Sequence, residues 1–345
     1  MEGMLNMEKR NMYDWLDRML GAKTKKALPV LSFPCVSLLG ITVRELIADS
    51  DMQARGMLAV AQRTDPAASV SLMDLSVEAE CFGSAIRVSE SEVPTVVGRI
   101  VSDEAEANAL QVPPVGAARS GLYIDAIRKA CGLITDRPVF AGMIGPFSLA
   151  ARLLDVGEIM MDCYDEPDMV HTVLEKTTSF LIEYAKAYRE TGANGILMAE
   201  PVSGLLSPAL EAEFSTPYVR RIVDAVQDED FIVIYHNCGN NTPKMTDSLL
   251  RNGCRAYHFG NAVDLRDILD KFPADVLVMG NVDPAGVLRR GDTETVRSET
   301  LRIMDECCAH PNFVISSGCD IPPTTPWENI DAFFAAVKEH NDSAR

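Results

Sequence analysis

Short apolar runs alternate along the chain with longer segments of helical spacing. Eight runs have the length and composition of strands: residues 29–34, 70–76, 138–143, 193–199, 231–236, 254–259, 276–280 and 313–317. Phe-Ile-Val-Ile-Tyr and Val-Leu-Val-Met-Gly, within the fifth and seventh, are apolar on both faces, as parallel strands covered on both sides are. Between the runs, residues 154–191, 208–227, 243–252, 265–272 and 293–310 repeat apolar positions at three- and four-residue intervals, which predicts amphipathic helices. Ser207-Pro208 and Thr242-Pro243 each read as an N-cap followed by proline at the first helical position.

Strands alternating with helices predict an α/β fold of the (β/α)8 TIM-barrel type, in one domain over residues 1–345. An open doubly wound sheet fits less well, because no Gly-x-Gly-x-x-Gly follows the first run. Two stretches break the alternation. Residues 1–28 read as an N-terminal helical extension, with Met12, Trp15, Leu16 and Met19 as an apolar face for the barrel or for a second copy in a homodimer. Residues 81–137 read as a hairpin plus a helix, an insertion capping the barrel mouth.

Composition narrows the function. With 47% hydrophobic and 24% charged residues, the chain is neither disordered, collagen-like nor a coiled coil. Fifty acidic against 32 basic residues give a net charge of −18, spread along the chain, which argues against nucleic acid and anionic membranes as partners. No apolar run approaches the ~20 residues of a membrane span. The N-terminus lacks the apolar core of a signal peptide. Nine scattered cysteines, an odd number, suit a reduced, cytoplasmic protein better than a disulfide framework.

Candidate chemistry gathers at predicted strand ends. The fifth run leads into Tyr235-His236-Asn237-Cys238-Gly239-Asn240 and the eighth into Ser316-Ser317-Gly318-Cys319-Asp320. Residues i and i+2 of a strand face the same way, so His236 and Cys238 can point together into the mouth. Cys319 shares that rim, since the C-terminal strand ends of a barrel form one active-site face. An imidazole with two thiolates is a zinc set with a fourth position open for a reactant. Taken singly, each residue is as well explained as a core histidine or a buried cysteine. Glu200, Asn261, Asn281 and Asp283 end neighbouring strands, and Glu200, Asn261 and Asp283 are candidates to bind substrate. Their bland alternative is capping the next helix. His258 alternates with Tyr257, which makes it a candidate for the outer face.

Several of these segments resemble the uroporphyrinogen decarboxylase superfamily, in its corrinoid-dependent methyltransferase branch. They are Gly-Pro-Phe-Ser-Leu-Ala (145–150), Ser-Pro-Ala-Leu-Glu-Ala-Glu-Phe-Ser-Thr-Pro-Tyr (207–218), His-Asn-Cys-Gly-Asn (236–240), Gly-Asn-Val-Asp-Pro (280–284), Ser-Ser-Gly-Cys-Asp-Ile-Pro-Pro (316–323) and Thr-Pro-Trp-Glu-Asn-Ile-Asp-Ala-Phe (325–333). The resemblance implies a zinc-dependent enzyme moving a methyl group between a methylated corrinoid such as methylcobalamin and a thiol or similar acceptor. It implies His236, Cys238 and Cys319 as zinc ligands and catalytic residues. Distant zinc methyltransferases often carry an acid where this chain has Asn261, which leaves the fourth position to be filled, with Glu200 a substitute. The corrinoid-binding Asp-x-His-x-x-Gly motif is absent, so a separate corrinoid protein is the implied partner. True decarboxylases carry an arginine-rich N-terminal motif, where residues 33–40 here read Phe-Pro-Cys-Val-Ser-Leu-Leu-Gly. The competing expectations are a decarboxylase-like lyase acting without metal and a non-catalytic corrinoid-protein docking module.

Overall fold

The computed structural model describes residues 10–343. Its strands are β1 (Ser69–Val70), β2 (Ala85–Arg87), β3 (Thr95–Val97), β4 (Val139–Ile144), β5 (Gly195–Ala199), β6 (Ile232–Asn237), β7 (Ala256–Phe259), β8 (Leu277–Val282) and β9 (Phe313–Ser317). Seven of them form one curled parallel sheet in the order β1-β4-β5-β6-β7-β8-β9, while β2 and β3 pair as an antiparallel hairpin. Helices connect consecutive parallel strands and cover the outer face, giving a TIM-barrel-like α/β fold.

Strand parity sorts the core. Phe140, Leu197, Ile232, Ile234, Ala256, Leu277, Met279 and Val314 form an inner apolar cluster. Their alternating neighbours, among them Val233, Tyr235, Tyr257, Phe259, Val278, Phe313 and Ile315, meet the apolar faces of the surrounding helices. The helix Met12–Leu20 closes the end of the sheet nearest the strand N-termini. Met12, Trp15, Leu16 and Met19 are buried in the inner cluster, and the Trp15 and Phe140 ring centroids lie 5.8 Å apart. The apolar face that left a second copy open is thus spent within the chain.

The first expected strand is not one. Pro29 has no N–H to give a ladder, and the Val30 N–H donates to the Ser317 hydroxyl (3.0 Å) instead of a carbonyl. The extended segment still touches both edges of the sheet: Leu28 N–H donates to Ile315 O (2.9 Å) and Ala67 N–H to Ala27 O (2.8 Å). The run at 70–76 likewise stops early. Beyond Val70 the ladder continues only as Ser71 N–H to Phe140 O (3.0 Å), and the Ser71 hydroxyl accepts from Gly142 N–H (2.8 Å).

Prolines divide the long helices. Residues 154–191 become Val156–Asp165 and Pro167–Arg189, and 208–227 become Pro208–Phe214 and Thr216–Val226. Ser207 caps as expected, accepting from Leu210 N–H (3.3 Å). Thr242 does not, because its hydroxyl turns back onto Gly239 O (2.6 Å) and a short 3₁₀ turn intervenes.

The 81–137 stretch holds the hairpin and two helices, Glu104–Ala109 and Ser120–Leu133. Val43 N–H donates to Glu90 O (2.8 Å), and Glu92 meets Arg289 (3.3 Å) in the turn after β8, so the hairpin leans over the C-terminal strand ends. Ser120–Leu133 instead packs beside Ser50–Arg63 in the outer helix layer. No helix among the described residues is long and apolar enough to cross a membrane.

Candidate metal centre

The inward parity of β6 changes character along its length: Ile232 and Ile234 are apolar, His236 is polar, and Cys238 follows two residues later. Cys319 leaves the end of β9 after the turn at Gly318. Ligand atoms of His236, Cys238 and Cys319 all lie within 4.8 Å of one another. The Cys319 Sγ to His236 Nε2 separation is 3.5 Å. That matches the edge of a tetrahedron with metal–sulfur and metal–nitrogen bonds of ~2.3 and ~2.0 Å. His236 is buried, and the two cysteines are partly exposed at the mouth. The two thiols are neighbours, and the nearby Cys319 thiol holds Cys238 below the ordinary thiol range. The Cys238 thiol, with burial, pushes Cys319 up to about 12. Two adjacent thiols are a site from which a dication would displace both protons.

Tight backbone contacts fix this geometry. A side chain at Gly260 would place its Cβ 2.5 Å from that of Cys238, and one at Gly318 would collide with Asn261 (2.7 Å to its backbone nitrogen). Asn237 holds the Cys238 loop: its carbonyl oxygen accepts from Gly239 N–H (2.9 Å), and its amide donates to Ser203 (3.1 Å) and Tyr235 (3.2 Å). Behind His236 lies His258, which parity turns inward and not outward. Their Nδ1 atoms are 2.7 Å apart, and His258 Nε2 is 2.7 Å from the Ser316 hydroxyl. Burial and the neighbouring His236 hold His258 well below the usual histidine value.

The other candidates divide. Glu200 is buried at the start of helix Pro146–Leu154, accepting from Phe147 N–H (2.8 Å), Ser148 N–H (2.9 Å) and the Ser148 hydroxyl (2.7 Å). Gly145 makes room, since a Cβ there would sit 2.3 Å from the Glu200 side chain. Burial raises Glu200 to about 7 against those donors. Asp283 caps the turn Pro284–Arg289 through Ala285 N–H (2.9 Å) and Gly286 N–H (2.8 Å). Asn281 donates to Gly260 O (3.0 Å) and Val263 O (2.8 Å). Exposed Asn261 borders a cavity with Asn281 and Asp283. Glu200, Asn281 and Asp283 thus carry local structural bonds, and neither carboxylate joins the three-residue cluster.

A polar group that the sequence reading missed lies on the same rim, following β1. Asp74 is buried and meets Arg119 (2.5 Å), the Tyr123 hydroxyl (2.7 Å) and the Ser76 hydroxyl (2.5 Å), while Arg119 also binds Glu80 (2.6 Å). Asp320, beside Cys319, has a buried carboxylate oxygen without a partner, and burial raises it well above the carboxylate range. The motif Met-Asp-Leu at 73–75 offered no spacing that linked it to Arg119, 45 positions on.

An imidazole and two thiols converge at the C-terminal strand ends of a barrel-like sheet, a group of the kind that can hold a metal ion. The chain belongs to the uroporphyrinogen decarboxylase family, whose model matches residues 33–340. It is similar to the methylcobamide:CoM methyltransferase of Methanosarcina acetivorans, 26% identical over 77% of this chain and 78% of that one. It is also similar to the uroporphyrinogen decarboxylase of Coxiella burnetii, 26% identical over 79% and 76%. A methyltransferase structure from Methanosarcina mazei shares the fold, with a TM-score of 0.84 and 22% identity over 96% of this chain and 99% of that one. The resemblance read in the motifs therefore holds for the family and for its corrinoid-dependent methyltransferase branch.

Proposed function

We propose that the protein is a zinc-dependent methyltransferase that moves a methyl group between a methylated corrinoid, presented by a separate protein, and a thiol or similar acceptor. The observation that carries this reading is the convergence of His236, Cys238 and Cys319 within 4.8 Å at the open end of the sheet. Methyltransferase relatives support the reaction class. A reducing cytoplasmic compartment suits nine free cysteines, and residues 27–31 take the eighth position of a (β/α)8 barrel.

His236, Cys238 and Cys319 would hold the zinc. When bound, it supplies the Lewis acidity that favours the thiolate form of an incoming thiol. The chain's own residues prepare for this. On binding zinc, Cys238 and Cys319 would each give up a thiol proton, and their two negative charges would offset the dication, which would keep a neighbouring sulfur electron-rich. His236 is oriented from behind by His258. Partial exposure of the two cysteines leaves the mouth side for reactants. The role of Glu200 is to hold helix Pro146–Leu154 against the rim, with the substrate contacts falling to Asn261 and to the hairpin of the 81–137 insertion. Arg119, already bound by Asp74 and Glu80, offers no free guanidinium to a porphyrinogen carboxylate.

The test is metal content and turnover, wild type beside Cys319→Ser. We expect about one zinc per chain, methyl transfer from methylcobalamin to thiols, and loss of both in a folded variant. Wild type without zinc, or a variant with full zinc, would overturn the ligand assignment. Decarboxylation of a porphyrinogen by metal-free protein would move the lyase reading to first place.

A further inference from the structure

A histidine binds a metal through a bare nitrogen, so which nitrogen of His236 carries the hydrogen decides whether it is poised to ligate. The hydrogen-bond chain behind it determines the answer, starting at a group whose polarity is not in question. The backbone carbonyl of Leu28 can only accept, and it lies 2.7 Å from the Ser316 hydroxyl. That bond uses the one hydroxyl hydrogen, so towards His258 Nε2, also 2.7 Å away, the Ser316 oxygen is an acceptor. His258 therefore carries its hydrogen on Nε2. Fully buried, with no carboxylate among its hydrogen-bond partners, it has nothing to balance a second proton, so its Nδ1 is bare. His236 Nδ1, 2.7 Å from that bare nitrogen, must then be the donor. A second observation agrees: the His258 backbone carbonyl, another obligate acceptor, lies 3.3 Å from the same His236 Nδ1.

We infer that Leu28, Ser316 and His258 form a proton-ordering relay that fixes His236 as the Nδ1–H tautomer and leaves Nε2 bare towards Cys319. Ser316 and His258 are positioning residues, since neither reaches the reactant side. The relay begins in the extended segment that joins the two sheet edges. This gives a function to the irregularity there: a side-chain hydroxyl of β9 is held by a main-chain carbonyl of residues 27–31 where a ladder bond would otherwise stand. Any divalent cation taken by this cluster would meet the same prepared nitrogen, but the link to catalysis rests on the function proposed above.

The first measurement uses metal-free wild type labelled with ¹⁵N-histidine, read by two-bond proton–nitrogen correlation. Only five histidines are present, so His236→Gln and His258→Gln assign the two signals. The expected result is hydrogen on Nδ1 of His236 and on Nε2 of His258; hydrogen on Nε2 of His236 would overturn the relay. The second measurement is zinc affinity by chelator competition. Ser316→Ala should weaken zinc about 10- to 100-fold, the range for losing a partner of a ligating histidine. Ser316→Thr, which keeps the hydroxyl, should restore it. Equal affinities for wild type and Ser316→Ala would overturn the relay even with the tautomers as assigned. Wild type that binds no zinc would overturn the proposed function alone, because the tautomers are read without metal.

Discussion

The two ends of the inner strand faces are built from opposite materials. At the N-terminal end, Phe140, Leu197, Ile232 and Leu277 meet Trp15 and Leu16 of the N-terminal helix in an apolar plug. Two to four residues further along the same faces stand His236, His258, Asn281 and Ser316, each making side-chain hydrogen bonds. The plug asks only for volume and shape. The rim asks that every donor find its acceptor, because an unpaired polar group there costs roughly 1–3 kcal/mol. One end supplies stability so that the other can hold polar, ligating atoms in fixed orientations.

The sharpest way to break this comparison is to damage the plug and look at the rim. Trp15→Ala should cost about 3–5 kcal/mol by urea denaturation, as large aromatic truncations in a packed core do. Zinc affinity at temperatures where the variant stays folded should remain within about twofold of wild type. A cost below ~1 kcal/mol would show that the helix Met12–Leu20 merely covers the sheet. A large fall in affinity would show that the two ends are not separable.

A smaller effect distinguishes the ends by pH. Glu78 is buried beside the rim, one oxygen accepting from Ile144 N–H (3.0 Å) and the other without a partner, and burial raises it to about 7. Its unfolded value is about 4.3, so on raising the pH the unfolded chain loses this proton first. Between about pH 4.3 and 7 the native state holds more protons, and stability falls as pH rises through that window, then levels off. Glu200, also raised to about 7, adds a slope of the same sign. Buried Asp320 and Glu211 are raised as well, so Glu78→Gln should remove only part of it, on the order of 1–3 kcal/mol between pH 4 and 8. An unchanged slope in the variant would show that Glu78 ionises in the folded protein without penalty.

Much of this was legible in the chain, and the failures have physical causes. Runs that are apolar on both faces gave β4 to β9 because fully covered parallel strands leave little else to satisfy. Residues 29–34 misled because an apolar composition does not reveal that Pro29 lacks a donor and that Ser317 replaces the ladder partner of Val30. His236, Cys238 and Cys319 were readable as neighbours because a barrel brings every C-terminal strand end to one rim. His258 was not, since its facing depends on register: it pairs with His236 across β6 and β7, and no single-strand pattern contains that fact. Glu200 and Asp283 were visible as polar residues at strand ends, but a capping carboxylate and a binding one look alike in sequence. Asp74 and Arg119 were hidden because a hairpin and two short helices separate the two halves of their ion pair.

Asn281 gives the finest test, because it is a rim residue whose role is wholly in hydrogen bonding. Its amide donates to Gly260 O and Val263 O, tying β8 to the loop after β7. Gly260 in turn lies against Cys238 so closely that no side chain fits between them. Asn281→Ala leaves both carbonyls without this donor, and the nearby mouth lets water reach them in part. The net loss should be about 1–2 kcal/mol, near the low end for two neutral bonds. Loosening of the 260–263 loop should also weaken zinc, but by less than Ser316→Ala does, because a loop behind Cys238 shifts position while the relay sets which nitrogen of His236 is bare. If Asn281→Ala weakens zinc more than Ser316→Ala, the position of the Cys238 loop governs the centre more strongly than the tautomer of His236. Equal stability with wild type would mean that the two carbonyls find replacement donors, and that the rim tolerates the missing amide as easily as the plug would tolerate a missing methyl group.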